Sequence, residues 1–130
     1  MTIAELCLVA AVALTILSVM PAKIDGHRHG AFDNANPRDP GFYTPGLRMR
    51  SLGAHQNGFE VFPFFAAAVL LAEMRSVPQS TVNALAVAFI AARIVYVLMY
   101  LTDRATLRSI MFAVGMMINV TLFFSPAWAG

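Results

Sequence analysis

The chain has 130 residues, 58% of them apolar and only 12% charged, with a net charge of +2. A soluble domain carries about 25% charged residues, and a core of this size cannot hide such long apolar runs, so lipid is the natural solvent. The small charge, with no basic stripe interleaved with aromatics, excludes a nucleic-acid binder, and a lone cysteine, Cys7, excludes an internal disulfide.

The first apolar run extends from about Ile3 to Met20 and ends at Pro21, with Lys23 soon after. A secretory signal peptide needs positive charge ahead of its apolar stretch. Here the only early charge is Glu5, so the run reads as an uncleaved helix with its N-terminus outside. Residues 21–46 hold Pro21, Gly26, Gly30, Pro37, Pro40, Pro45 and Gly46, which predicts a polar loop rather than a helix. The second span is mixed. Leu47 to Asn57 is half polar and Gly58 to Ala72 is mostly apolar. Because about 20 residues are needed to cross a bilayer, Asn57 and Glu60 fall in or near the hydrocarbon, and Pro63 lies inside the span. Glu73 to Gln79 predicts a tight turn. A third span runs from about Ser80 to Leu101 and a fourth from about Thr106 to Phe124, with Trp128 as an interfacial anchor. The expected architecture is all-α: one integral membrane four-helix bundle over residues 1–130, with spans at about 3–20, 47–73, 80–101 and 106–124.

Charge placement sets an expected orientation. The first and third loops, with the adjoining helix ends, hold Lys23, Arg28, Arg38, Arg48, Arg50, Arg104 and Arg108, whereas the second loop holds only Arg75. The positive-inside rule then places loops one and three in the cytoplasm and both termini on the other side.

Charged groups at a bilayer centre cost about 2.5–3.5 kcal/mol on insertion scales, and they persist where they face a bundle interior. Here they form two stripes. Arg50, Asn57 and Glu60 on the second span lie within one third of the helix circumference, and Arg93, Tyr96, Tyr100 and Asp103 share one face of the third. Two such stripes near the basic end make a pocket for a charged or zwitterionic guest. A plainer reading stands beside this one. Glu60 and Arg93 can neutralise each other as a buried pair with Asn57 bridging, the tyrosines can be packing, and Arg108 can be a snorkelling charge. Asn119 reads as interhelical glue, and His27 and His29 as solvated loop residues.

The stretch from Arg50 through Phe64 resembles the second-helix signature of the MAPEG family, the membrane-associated proteins of eicosanoid and glutathione metabolism. Ala54, Asn57, Glu60 and Pro63 match its Ala-x-x-Asn-x-x-Glu and following proline. Arg93-x-x-Tyr96-x-x-x-Tyr100 and Ala105-Thr106-Leu107-Arg108-Ser109 resemble the third helix and next turn of the prostaglandin- and leukotriene-forming members. The resemblance covers about residues 45–124 and is to a bacterial-type member, which points to a bacterial inner membrane. It implies a homotrimer with glutathione as bound co-substrate between subunits. Asn57 and Glu60 would hold the backbone and amino end of glutathione, Arg50, Arg93, Tyr96 and Tyr100 would line the site, and Arg108 would stabilise the thiolate.

Two positions depart from that pattern. Eicosanoid-forming members carry an arginine just before the motif alanine, where this chain has Gly53. They often carry a polar or tyrosine side chain after the glutamate, where it has Val61. The resemblance thus implies a glutathione-dependent transferase or peroxidase acting on a lipophilic electrophile, or a lipid-binding protein of the same fold without catalysis. Small four-helix multidrug exporters resemble the chain in size, but their key glutamate lies in the first span and Glu60 lies in the second.

Overall fold

The computed structural model describes residues 1–129, in which helices are the only regular elements. They are α1 (Ile3–Leu17), α2 (Met20–Arg28), α3 (Leu47–Met74), α4 (Gln79–Leu101), α5 (Ala105–Phe123) and the short α6 (Ser125–Trp128), with one 3₁₀ turn at Pro40–Phe42. Four stretches among the described residues are long and apolar enough to cross a membrane: Ile3–Arg28, Leu47–Met74, Gln79–Leu101 and Ala105–Phe123. At 1.5 Å per residue the 28 residues of α3 reach about 42 Å. That exceeds the ~30 Å hydrocarbon core, so the polar first turns of α3 can stand in the interface while Asn57 and Glu60 lie deeper.

Local chemistry explains the helix ends. Thr2 and Glu5 form a capping box at the start of α1. Gly30, Ser76 and Asp103 follow the caps of α2, α3 and α4 with φ of 64°, 56° and 60°. Each end closes with the paired bonds of a Schellman motif, as in Arg104 N–H to the Met99 carbonyl at 2.9 Å and Asp103 N–H to that of Tyr100 at 3.2 Å. Asp103 therefore lies past the helix and is exposed, not on the face it was expected to share with Arg93 and the tyrosines.

The first span differs most from expectation. The predicted loop at 21–46 begins instead as helix, and Pro21 sits in the first turn of α2, where a missing N–H and a fixed φ cost nothing. The break is a kink at Ser18–Val19, and α3 stitches it. The Ser51 hydroxyl donates to the Ser18 carbonyl at 2.6 Å and accepts from the Ala22 N–H at 3.3 Å, replacing a helical bond. One turn along α3, His55 Nδ1 donates to the Thr15 carbonyl at 2.6 Å, and the Ser18 hydroxyl donates to the same oxygen at 2.6 Å. A side chain inserted into the i→i−4 ladder is a recognised cause of kinking.

The main core is small and aromatic where α1, α3, α4 and α5 meet: Ala4, Ala68, Val69, Ala72, Val82, Ala86 and Leu122 around a stacked Phe65–Phe89 pair at 4.1 Å. Gly58 lets α1 approach α3; a Cβ there would lie 2.7 Å from Thr15 Cγ2. Between them is a cavity of about 10 Å³, the size of one water, lined by Thr15, Gly58, Val61 and Arg93 among others. A second cluster of Val19, Ala22, Phe42 and Tyr43, flanked by Phe32 and Leu52, folds the rest of the 21–46 segment onto the basic end. Arg48 Nε holds it there through Asp25 Oδ2 at 2.8 Å. At the opposite end Thr2 donates to Glu73 at 2.7 Å and Asn83 accepts from the Ala4 N–H at 3.0 Å, tying the start of α1 to the α3–α4 turn.

Candidate functional site

Among the described residues the α3 stripe touches α4 through Arg50 alone, at the basic end where α3 and α5 begin and α4 ends. Arg50, in the first turn of α3, reaches α4: its Nε donates to the Leu101 carbonyl at 3.3 Å. That carbonyl lies in the last turn of α4, where helical carbonyls lack partners and the dipole is negative.

Along α4 the spacing of three and four keeps Arg93, Tyr96 and Tyr100 on one face. The Arg93 guanidinium lies over the Tyr96 ring at 4.1 Å, Tyr96 meets Tyr100 edge-on at 5.7 Å, and the Arg108 guanidinium of α5 lies over the Tyr100 ring at 4.7 Å. Both cations are within the ~6 Å at which a ring face attracts them. Arg93 and Tyr96 are buried, and Tyr100 and Arg108 are half-buried, so the ladder rises from the bundle interior toward the basic end. Phe112 backs Tyr96 from α5 at 6.2 Å. Gly115 of α5 packs beside Arg93, where a Cβ would sit in ordinary contact, 4.0 Å from Arg93 Cδ.

Asn57 and Glu60 are separate from the ladder. Glu60 is exposed on the outer surface of α3, and Asn57 Nδ2 donates to its Oε2 at 3.2 Å. Asn57 Oδ1 is buried with no hydrogen-bond partner among the described residues. The Glu60–Arg93 pair considered from the sequence does not form: the ion pairs among the described residues are Met1–Glu5 and Arg48–Asp25, and His29 Nδ1 lies 3.4 Å from Asp25 Oδ1. Arg93 instead rests on an aromatic face. Asn119 is fully buried, yet neither polar atom of its amide finds a partner among the described residues, so it bonds to none of their helices. Trp128 donates its ring N–H to the Thr121 carbonyl at 3.2 Å.

The sequence reading misses Ser51 and His55 and takes Gly53 only as the place of a missing arginine. Ser51 and His55 lie on the α1-facing side of α3, away from Arg50 and Glu60, and fix how the stripe is turned. Gly53 accommodates Tyr100: a Cβ there would lie 2.7 Å from Tyr100 Cζ. The one signal available was a glycine inside a helical pattern, which usually has a packing reason. Val61 is buried in the core and lines the small cavity rather than sitting beside Glu60.

Four apolar helices and a polar face between them define an integral, multi-pass membrane protein of the helical-bundle class. The model of the MAPEG family matches residues 3–128, nearly the whole chain, and the chain belongs to that family. No curated protein and no solved structure gives a match. Membership is consistent with glutathione-related transferase or peroxidase-like roles.

Proposed function

We propose that this chain is a membrane-bound, glutathione-dependent transferase or peroxidase acting on lipophilic electrophiles, assembled as a homotrimer with its basic end and both sites of charge in the cytoplasmic half. The observation that most supports this is the Arg93–Tyr96–Tyr100–Arg108 ladder, which gathers two cations and two phenols from two helices at one end of an apolar bundle. A thiol has a pKa of about 8.5, and a neighbouring cation lowers it and enlarges the thiolate population. Arginine remains charged throughout, so Arg108 acts without a proton cycle of its own.

The residues fit glutathione at a second point. The buried, unpartnered Asn57 Oδ1 is an acceptor waiting for an N–H, and the Glu60 carboxylate one turn on suits an ammonium group. The same pair supports assembly. An exposed carboxylate on an apolar span is expensive in lipid, and a neighbouring copy lying over α3 would cover it. Along the outer face of α5, Phe112, Met116, Met117 and Val120 line an open apolar groove suited to a lipid tail.

The second reading is lipid binding without catalysis, and one observation favours it. The place of the family arginine is Gly53, whose space is taken by Tyr100, so no cation stands there for a glutathione carboxylate.

Glutathione titration of the purified protein in detergent tests both readings, followed by thiolate absorbance and by conjugation of a chloronitrobenzene. Binding with a thiolate signal is expected, and no binding at millimolar glutathione sinks the enzymatic reading. Arg108→Ala should abolish the thiolate signal more than the binding. Asn57→Ala and Glu60→Ala should each weaken affinity by about tenfold, the loss of one hydrogen bond.

A further inference from the structure

Arg108 is the fourth residue of α5, close to the positive end of that helix dipole. It makes no ion pair with any described residue. Arg104, four residues earlier, adds like charge. A cation placed there is pushed outward by helix and neighbour alike, yet its guanidinium lies inward over Tyr100.

We propose that Gly53 is a socket for Tyr100, and that Tyr100, seated in it, is the positioning residue that holds Arg108 inward at the site. The tyrosine is fixed from two sides. The bare backbone of α3 at Gly53 admits the phenol end of the ring, which any side chain would displace: a Cβ would come within 2.7 Å of Cζ and 3.3 Å of Cε1. Tyr96 braces the ring edge-on at 5.7 Å and is itself capped by Arg93 at 4.1 Å. The exposed face of Tyr100 is then a fixed platform 4.7 Å from Arg108 Cζ.

An aromatic platform suits this task better than a carboxylate. A carboxylate partner would also hold the guanidinium, but it would cancel the positive field. A ring face attracts the cation through its quadrupole and leaves the full charge to act on an anion beyond it. The glycine that removes an arginine from the site thereby sets the aim of the arginine that remains. The functional half of this inference rests on the proposed role of Arg108 beside a thiol, whereas the positioning half stands on geometry alone.

The test separates the two halves. Purified wild-type, Tyr100→Phe, Tyr100→Leu and Gly53→Ala proteins are treated with phenylglyoxal in detergent, and the rate of Arg108 modification is read by mass spectrometry, with helix content checked by circular dichroism. Tyr100→Leu removes the ring and Gly53→Ala evicts it. Both should raise the rate about two- to fivefold, the change that loss of one cation–π contact allows. Tyr100→Phe keeps the ring and should match wild type. Equal rates in all four proteins overturn the proposal, and so does a rise in the Phe variant equal to that in the Leu variant. This arm needs no glutathione, so it decides the positioning role even if wild type binds none, a result that would sink the enzymatic reading alone. Where wild type does bind, Tyr100→Leu should lose thiolate absorbance at saturating glutathione; full absorbance in the Leu variant overturns the functional half.

Discussion

The hydroxyl of Ser51 stands 2.6 Å from the carbonyl of Ser18, in the place where the N–H of Ala22 would close a helical turn. One residue of α3 thus joins the ladder of the first span and bends it, and His55, one turn on, takes the Thr15 carbonyl. Ser51→Ala leaves a buried carbonyl and a buried N–H without their partner and should cost about 1–3 kcal/mol, read as a lower midpoint of unfolding in mixed detergent. His55→Ala should cost about 1 kcal/mol, and the double variant should lose less than the sum, because both side chains hold one kink. Strict additivity would mean that the two bonds act independently.

Gly58 faces Thr15 across the α1–α3 contact. Gly58→Ala gains up to about 1 kcal/mol of helix propensity but drives a methyl to 2.7 Å from Thr15 Cγ2. Overpacking of this kind costs about 1–3 kcal/mol, so the variant should be destabilised, and adding Thr15→Ala should restore it. A more stable Gly58→Ala single variant would show that α1 can move aside.

Ser76 and Asp103 hold left-handed conformations, φ 56° and 60°, at the ends of α3 and α4. Both are exposed, so a side chain there earns little packing. An L-residue in this region costs about 1–2 kcal/mol, partly offset by the larger unfolded-state entropy of glycine. Ser76→Gly and Asp103→Gly should each stabilise the protein by about 0.5–1 kcal/mol. A loss on Asp103→Gly alone would point to a role for its carboxylate.

Asn119 is fully buried with both amide atoms unpartnered among the described residues. Replacing such a group by an apolar one of similar shape is nearly neutral or stabilising, so Asn119→Leu should shift the unfolding midpoint little or upward. A loss above about 2 kcal/mol would show instead that the amide is satisfied in the folded membrane protein.

The sequence by itself determined the four spans, the basic end and the tight turn after the second span. These are local or additive properties. Twenty apolar residues report their solvent, Lys and Arg report a side, and the Glu73–Gln79 stretch reports a reversal of the chain within a few residues. It also determined that Arg93, Tyr96 and Tyr100 share one face, because three- and four-residue spacing fixes azimuth on a single helix. What a single helix cannot report is which neighbour its face meets. That depends on how each helix is rotated and how closely two backbones approach. The tertiary structure therefore decided that Arg93 rests on Tyr96 rather than on Glu60. It decided that Pro21 opens a helix, because Ser51 supplies from another element what the kink removes. And it gave Gly53 a meaning that composition could not: a residue lost from a binding motif is, in space, the room that Tyr100 fills.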